Sequence, residues 1–285
     1  MPSENITITC SDSTELAASL FQPTGDLKGA VMIAPATGIK RRFYAPFAKH
    51  LSQNGFGVLT FDNRGIGDSL KGKIRGSNAS LQQWGEQDMP AILESLKDHF
   101  PATKYHLVGH SAGGQLVGLM PNCEELTSMF NFACSSGQLK NMKMPFQFSA
   151  FFFMNVYIPL NNILFGHSKT NLVGMGEALP KKVAAEWSEW CNGQGYVKTA
   201  FDKSITRHWY NELDIPSLWV NAIDDDIANN ENVDDMASVF TKLQVEKMSL
   251  VPSDHGLKEI GHMKFFSKGN QQLWSIAIDW LNKQS

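Results

Sequence analysis

A serine between two glycines, at the junction of a strand-like run and a helix-like run, is the feature that most constrains this chain. Residues 105–108 read as a strand and lead into Gly109-His110-Ser111-Ala112-Gly113, after which a helix is predicted as far as Met120. Small residues two positions before and after the serine let the backbone turn sharply without a clash. The pattern therefore predicts a tight strand-to-helix turn that presents the Ser111 hydroxyl at the end of a sheet.

Strand and helix patterns alternate along most of the chain. An antiparallel opening hairpin is predicted for residues 5–10 and 15–21. Further strands are predicted for residues 29–34, 56–61, 129–133, 217–223 and 245–251, and helices for residues 43–53, 81–100, 232–243 and 271–282. Pro90 marks a kink or an early boundary in the second of these helices. Such alternation is typical of a mostly parallel central sheet with helices on both faces, so we predict an α/β fold.

The alternation breaks between residues 135 and 212. The break lies between two predicted strands, and insertions at the carboxyl edge of a parallel sheet lie where such folds bind ligands. We therefore predict a core formed by residues 1–134 and 213–285, and an inserted helical cap, or lid, formed by residues 135–212.

Residues 145–166, within the predicted cap, are rich in phenylalanine. A membrane-spanning helix needs about 20 predominantly apolar residues, whereas Gln147, Asn155 and Pro159 interrupt this run. We therefore predict a lid element and no transmembrane segment. Packing of the cap on the core accounts for most of the aromatic residues, but a few are candidates for a substrate pocket: Phe151, Phe152, Phe153 and Tyr157.

A carboxylate that could assist the serine follows a late predicted strand. A serine hydroxyl becomes a nucleophile when a base takes its proton and a carboxylate orients that base. Residues 217–223 lead into Asp224-Asp225-Asp226. The spacing from the end of the strand favours Asp225, with Asp224 as the alternative.

Two histidines after the last predicted strand are candidates for the base. His262 follows Gly261 and precedes Phe265-Phe266, which can anchor its loop on the core, whereas His255 lies in an ordinary turn sequence. We predict His262 as the base and keep His255 as the alternative. Ser111, Asp225 and His262 then follow one another in the chain order that the α/β-hydrolases require.

The loop after residues 29–34 could supply one half of an oxyanion hole. It reads Pro35-Ala36-Thr37-Gly38, and its small side chains let a backbone N–H point at a substrate. We predict the N–H groups of Thr37 and Ala112 as the oxyanion donors, with Ala36 as the alternative to Thr37.

Gly67-Asp68-Ser69-Leu70 spells the signature of a different class of serine hydrolase. That class pairs its serine with an Asp-x-x-His near the end of the chain, but Glu259 stands here where the aspartate would be. We interpret the match as accidental.

Composition excludes several other functions. The formal net charge of −3 leaves no electrostatic footprint for nucleic acid. The four cysteines lie far apart, and no zinc spacing or dinucleotide fingerprint is present, so neither a metal nor a cofactor is predicted.

Residues 1–10 lack a basic start followed by an apolar run, so no signal peptide is expected, and reduced cysteines fit the cytoplasm. The oligomeric state is left open.

Several of these segments resemble the α/β-hydrolase superfamily, over nearly the whole chain. The resemblance rests on Pro35-Ala36-Thr37-Gly38, Asp62-x-Arg64-Gly65-x-Gly67-x-Ser69, Gly109-His110-Ser111-Ala112-Gly113-Gly114, Asp225 and Gly261-His262-Met263-x-Phe265-Phe266. More narrowly, two stretches are similar to a group of predicted hydrolases related to the serine aminopeptidase and monoglyceride lipase branch: Gly114-Gln115-Leu116 with Pro121-Asn122, and Ala184-x-Glu186-Trp187-x-x-Trp190-Cys191. The chain departs from the common pattern at Pro35-Ala36, in place of His-Gly, and at Ala222, in place of glycine.

The resemblance implies an α/β-hydrolase fold and hydrolysis through an acyl-enzyme, and it names no substrate. The apolar cap favours a small-molecule ester with an apolar acyl group, as for a carboxylesterase or lipase. A thioesterase, an amidase or an aminopeptidase could use the same three residues. A non-catalytic ligand-binding protein could use the same fold, because fold alone does not determine function.

Overall fold

The computed structural model describes residues 3–285, and its centre is one eight-stranded sheet. The strands, including two short ones outside this sheet, are β1 (Glu4–Thr9), β2 (Glu15–Phe21), β3 (Gly29–Ala34), β4 (Phe56–Phe61), β5 (Tyr105–His110), β6 (Ser128–Phe132), β7 (His167–Ser168), β8 (Leu179–Pro180), β9 (Pro216–Ala222) and β10 (Gln244–Leu250). The spatial order in the large sheet is β1-β2-β4-β3-β5-β6-β9-β10. Strand β2 runs antiparallel to β1 and β4, and the other neighbours are parallel.

Helices cover both faces of the sheet. They are α1 (Ala45–Gln53), α2 (Leu81–Gln83), α3 (Met89–His99), α4 (Ala112–Gln115), α5 (Phe146–Phe152), α6 (Ile158–Phe165), α7 (Lys181–Asn192), α8 (Asn230–Ala237) and α9 (Trp274–Gln284). Helix α1 connects β3 to β4, whereas the segment with α3 leads back across β3 to β5. Right-handed crossovers in opposite directions place their helices on opposite faces. The predicted α/β fold class, with a mostly parallel sheet, is therefore confirmed.

Three predicted helices differ by several residues from the observed ones. The helix predicted for residues 232–243 is observed as α8, which ends at Ala237. The helix predicted as far as Met120 ends at Gln115 and is followed by a 3₁₀ turn, Val117–Leu119. Gly118 packs so closely against the ring of Tyr210 that a Cβ atom there would lie 2.5 Å from a ring carbon, so this tertiary contact sets the path of the backbone. The helix predicted for residues 81–100 is divided by a π-helical turn, Trp84–Asp88, just before Pro90.

The predicted cap, residues 135–212, contains α5, α6, α7 and the antiparallel pair β7 and β8. Its helix α7 is tied to the predicted core through Glu186, whose carboxylate accepts the backbone N–H groups of Leu81 (2.6 Å) and Gln82 (3.3 Å) at the start of α2. The division into core and cap remains a prediction.

The helical run Phe146–Phe165 joins α5 to α6 through a π-helical turn, Phe153–Tyr157. By length and composition it is the one helix among residues 3–285 that could cross a membrane. One side of the run packs on the protein through Met154 and Ile158, which are buried. The run therefore lies along the surface of the molecule in this structure.

The turn between β5 and α4 is packed too closely for side chains. A Cβ atom on Gly113 would lie 2.0 Å from the carbonyl oxygen of Ala34, and one on Gly109 would lie 2.6 Å from the backbone of Gly114. Helix α4 therefore begins in direct backbone contact with the ends of β3 and β5.

We predict that Gly113→Ala lowers the free energy of unfolding by about 3 kcal/mol, because the added methyl overlaps the Ala34 carbonyl and forces the backbone apart. Gly76→Ala is the matched control, because a Cβ there meets no atom within 4 Å. Urea unfolding of both variants measures the difference. Equal stabilities would contradict the close packing of the turn.

Candidate active site

Ser111 lies on the sharp turn that the sequence predicts. Its backbone has φ +49° and ψ −115°, a conformation that residues with side chains rarely adopt. The turn is held by a hydrogen bond from the Ser111 N–H to the Phe132 carbonyl (3.1 Å) and by the Ser111 carbonyl, which accepts from Gly114 (3.2 Å) and Gln115 (3.3 Å). Such strain costs about 1–3 kcal/mol and persists only where the surroundings enforce it. Ser111 is partly exposed, so a substrate can reach it.

Asp225 and His262 are brought together from the loops that follow β9 and β10. The Asp225 Oδ2 and His262 Nδ1 atoms lie 2.9 Å apart. The other carboxylate oxygen, Oδ1, accepts the N–H groups of Ile227 (2.8 Å) and Ala228 (2.9 Å), which fixes the plane of the group. A carboxylate on Nδ1 favours the tautomer with its proton on that nitrogen, which leaves the Nε2 lone pair free to accept a proton.

The environment keeps Asp225 ionised although its side chain is buried. Burial by itself raises the pKa of this carboxyl, but the charge and hydrogen bond of His262 and the two backbone N–H groups outweigh burial and hold the pKa below its usual range. Asp225 can therefore stabilise a positive charge on His262.

Asp224, the second candidate for the acid, has a different set of partners. Its two carboxylate oxygens accept the backbone N–H groups of Ile260 (2.9 Å) and Gly261 (3.1 Å). These residues immediately precede His262, so Asp224 anchors the loop that carries the histidine. The adjacent carboxylates thus contact different parts of one loop.

His255 and Ser69 lie outside this arrangement, in ordinary surroundings. His255, the second candidate for the base, ends a 3₁₀ turn, Pro252–His255, and its carbonyl accepts from Gln272. Ser69 is buried; its hydroxyl donates to the Asp62 carbonyl (2.7 Å) and accepts the Ala17 N–H (2.8 Å). This burial agrees with the interpretation that the second serine signature is accidental.

A buried chain of hydrogen bonds, which the sequence did not reveal, connects the loop after β3 to the loop that carries His262. The Ala36 N–H donates to the Tyr44 hydroxyl oxygen (2.9 Å), which lies 2.8 Å from His110 Nδ1. His110 Nε2 lies 2.9 Å from the carbonyl oxygen of His262. A carbonyl only accepts, so Nε2 of His110 carries its proton, and Nδ1 accepts from Tyr44. The one sequence feature that could have indicated this chain of hydrogen bonds is the position of His110 directly before Ser111.

This chain of hydrogen bonds carries no charge near neutral pH. Burial raises the pKa of Tyr44 far above its ordinary range. Burial, assisted by the charge of His262, lowers the pKa of His110 to about 3. The chain therefore keeps one direction of donation, from Ala36 to the carbonyl of His262.

The hydrogen bond between the Ala36 N–H and Tyr44 helps to choose between the predicted oxyanion donors. Because the Ala36 N–H is already bonded to Tyr44, Thr37 is favoured over Ala36. Ala112 is the first residue of α4, so its N–H has no acceptor within the helix. Both N–H groups stay predicted donors.

The four residues predicted to line a substrate pocket divide into two pairs. Phe151 and Phe152 are about half exposed, at 53% and 52%, on the outer side of α5. Phe153 and Tyr157 stack with ring centroids 5.6 Å apart, and Phe153 also meets the ring of Trp187 edge to face at 5.7 Å. The first pair therefore faces outward in this structure, and the second pair belongs to a partly exposed aromatic cluster of the predicted cap. All four residues stay predicted candidates for the pocket.

The sheet and the turn at Ser111 define an α/β-hydrolase. Residues 22–185, more than half of the chain, match the family model described as serine aminopeptidase, S33, and the chain belongs to that family. The matched range contains Ser111 and ends before Asp225 and His262.

Individual similar proteins include esterases and a lipase. A curated protein of Caulobacter segnis, named provisionally as the carbamate hydrolase RutD, is 32% identical over 84 residues, which are 30% of this chain and only 29% of that protein. Among solved structures, an esterase from Pyrococcus furiosus has 17% identity and a TM-score of 0.64, over 99% of this chain and 91% of that one. A soluble variant of monoglyceride lipase from Saccharomyces cerevisiae, in complex with a substrate analogue, has 15% identity and a TM-score of 0.68, over 100% and 96%. A thermostable carboxyl esterase from Bacillus coagulans, in complex with glycerol, has 12% identity and a TM-score of 0.68, over 99% of each chain. At these identities the solved structures establish the fold alone.

The two adjacent carboxylates give a matched pair of substitutions. We predict that Asp225→Asn lowers kcat by about 10⁴-fold, because the amide neither stabilises the imidazolium nor favours the required tautomer. Asp224→Asn should cost less than about tenfold, because its carbonyl oxygen can still accept one loop N–H. Steady-state kinetics of both purified variants measure the difference, and a larger loss for Asp224→Asn would transfer the role to that residue.

The pH dependence of kcat/KM should show one ionisation on its acid limb. Only a neutral His262 can accept the serine proton, so kcat/KM should rise with pH. His110, whose pKa is lowered to about 3, adds no second step between about pH 5 and 8. Initial rates across that range test this; a flat profile, or two resolved steps, would contradict it.

Proposed function

We propose that this chain is a serine hydrolase that cleaves a carboxylic ester through an acyl-enzyme. The observation that carries the proposal is the buried, ionised Asp225 hydrogen-bonded to His262, in a fold whose strained turn exposes Ser111. Strain at one residue and an ionised carboxylate buried on a histidine both cost folding free energy unless the surroundings compensate. Their occurrence together is typical of a catalytic site.

The chemistry follows from the roles of the three side chains. His262 Nε2 takes the proton of Ser111 as the serine oxygen attacks the ester carbonyl, and the Thr37 and Ala112 N–H groups bind the oxyanion. The intermediate collapses to the acyl-enzyme, and the imidazolium gives its proton to the departing alcohol. His262 then takes a proton from water as the water attacks the acyl group, and it gives that proton to the Ser111 oxygen as the acid leaves, while Asp225 stays ionised throughout.

An ester is the favoured substrate class because the similar solved structures are described as esterases and a monoglyceride lipase. The phenylalanine-rich composition of the predicted cap favours an apolar acyl or alcohol group. The family description also names aminopeptidases, and the Caulobacter relative is named for carbamates, so amides and carbamates are the competing substrates.

The partner that we propose is a small-molecule ester. The four cysteines are free and buried, which fits the predicted cytoplasmic location.

We predict that Ser111→Ala abolishes both hydrolysis of p-nitrophenyl esters and labelling by a fluorophosphonate probe, and leaves the melting temperature within a few degrees of the wild type. The change removes one partly exposed oxygen and no packing. Ser69→Ala is the control and should keep its labelling, because the Ser69 hydroxyl is buried and engaged.

Two results would count against the proposal. A wild-type protein that folds but neither labels nor hydrolyses any ester would support a binding protein on this fold. A wild-type protein that labels, yet cleaves aminoacyl amides faster than esters at equal concentration, would keep the nucleophile and overturn the substrate class.

A further inference from the structure

The predicted cap carries a row of large apolar side chains that face outward. Six large apolar side chains of the run Phe146–Phe165 are at least half exposed: Phe148, Phe151, Phe152, Leu160, Ile163 and Leu164. We call these six the docking face. The most exposed are Ile163, at 77%, and Phe148, at 67%. Soluble monomers rarely expose a contiguous apolar surface of this kind unless it binds something.

The π-helical turn Phe153–Tyr157 keeps these side chains on one side. A π turn adds one residue to a helical turn, which shifts the phase of everything after it by about 100°. With that shift the exposed positions of α6 continue the line of the exposed positions of α5. Without it, Leu160, Ile163 and Leu164 would be rotated away from Phe148. The backbone thus joins two short helices into one apolar strip.

The opposite side of the same run is fixed to the protein. Met154 and Ile158 are buried, Asn162 donates to the Lys181 carbonyl (3.0 Å), and Ser188 donates to the Met154 carbonyl (2.7 Å). A helix held along its length in this way lies parallel to whatever its outer side contacts. This geometry fits a helix in the interfacial plane of a bilayer and not one that spans it.

The charged side chains near the docking face are mainly basic. No aspartate or glutamate occurs between Glu125 and Glu177, a stretch that contains Lys140, Lys143 and Lys169. Lys169 Nζ lies 3.3 Å from the ring centroid of Phe165, at the end of the apolar run. The side chain of Arg75 lies against Gly166 beside that end. On α7, which packs alongside, Lys181 and Lys182 are exposed together with one glutamate, Glu189.

We propose that the docking face binds the surface of an anionic phospholipid bilayer. The apolar side chains would enter the boundary between headgroups and acyl chains, and the flanking lysines would contact the phosphate groups. A convex single helix offers no groove for a peptide, and the cationic flanks would repel a second copy of the same surface. The inference concerns binding only, so it does not depend on the catalytic roles of Ser111, Asp225 and His262.

Flotation of the full-length chain with lipid vesicles tests the proposal. The wild type should float with vesicles made of equal parts of phosphatidylcholine and phosphatidylglycerol, and more weakly with phosphatidylcholine alone. Phe148→Gln, Phe152→Gln and Ile163→Gln combined should lower the partition coefficient at least tenfold. Met248→Gln, an exposed apolar residue at 39% on the edge strand β10, is the matched control and should float as the wild type does.

Two further variants separate charge and catalysis from packing. Lys140→Gln and Lys143→Gln combined should weaken binding to the anionic vesicles by about fivefold per lysine, with little change on the neutral ones. This pair keeps the test valid if the triple variant fails to fold. Ser111→Ala should float as the wild type does, so a failure of the catalytic proposal would leave this result unchanged.

Several outcomes would overturn the proposal. They are absence of flotation, equal flotation of the triple variant, and wild-type protein that resists both high salt and alkaline carbonate, which would indicate a spanning helix. Sedimentation velocity tests one more outcome. A wild-type dimer that the triple variant converts to a monomer, with no flotation of either protein, would identify a second copy of the chain as the occupant.

Discussion

The contact between the backbone of α4 and the end of β3 is the constraint on which the site depends. The carbonyl of Ala34 comes so close to Gly113 that no side chain fits between them, and Gly109 is also packed closely on Gly114. This approach forces the chain to reverse within one residue, and the residue that reverses is Ser111, at φ +49°. The strain at Ser111 is therefore a consequence of how tightly the sheet and the helix are packed, and the exposure of its hydroxyl follows from the same reversal.

The acidic turn after β9 divides two tasks between neighbouring residues. Asp225 points its carboxylate at the imidazole ring, and Asp224 binds the backbone just before it. One residue fixes the tautomer of the ring while the other fixes where the ring can be. Because both start from the same turn, a shift of the histidine loop would lengthen both sets of hydrogen bonds together. The two sets of hydrogen bonds together therefore hold His262 in position more firmly than either set alone.

The fold could be predicted from the sequence, but the tertiary contacts between distant residues could not. The strands were predictable because short apolar runs end at glycine, proline or polar residues, and the predicted strands at residues 29–34 and 56–61 coincide with β3 and β4. The early end of α4 was not predictable, because it depends on contact with Tyr210, a residue distant in the chain. The helices between residues 146 and 165 were also hidden, since apolar side chains occupy both their buried and their exposed sides and leave no amphipathic period.

The hydrogen bonds from Ala36 through Tyr44 and His110 to His262 have a consequence for how such a protein can change over evolutionary time. All four residues belong to the predicted core, and none lies between residues 135 and 212. These four residues help to align the loop expected to hold the oxyanion with the loop that holds the imidazole, and the predicted cap adds one contact, because the Glu177 N–H donates to the Gly38 carbonyl (2.8 Å). Sequence changes in the predicted cap that keep the contacts of Glu177 and Tyr210 with the predicted core can therefore alter substrate preference while the alignment of the two loops is inherited.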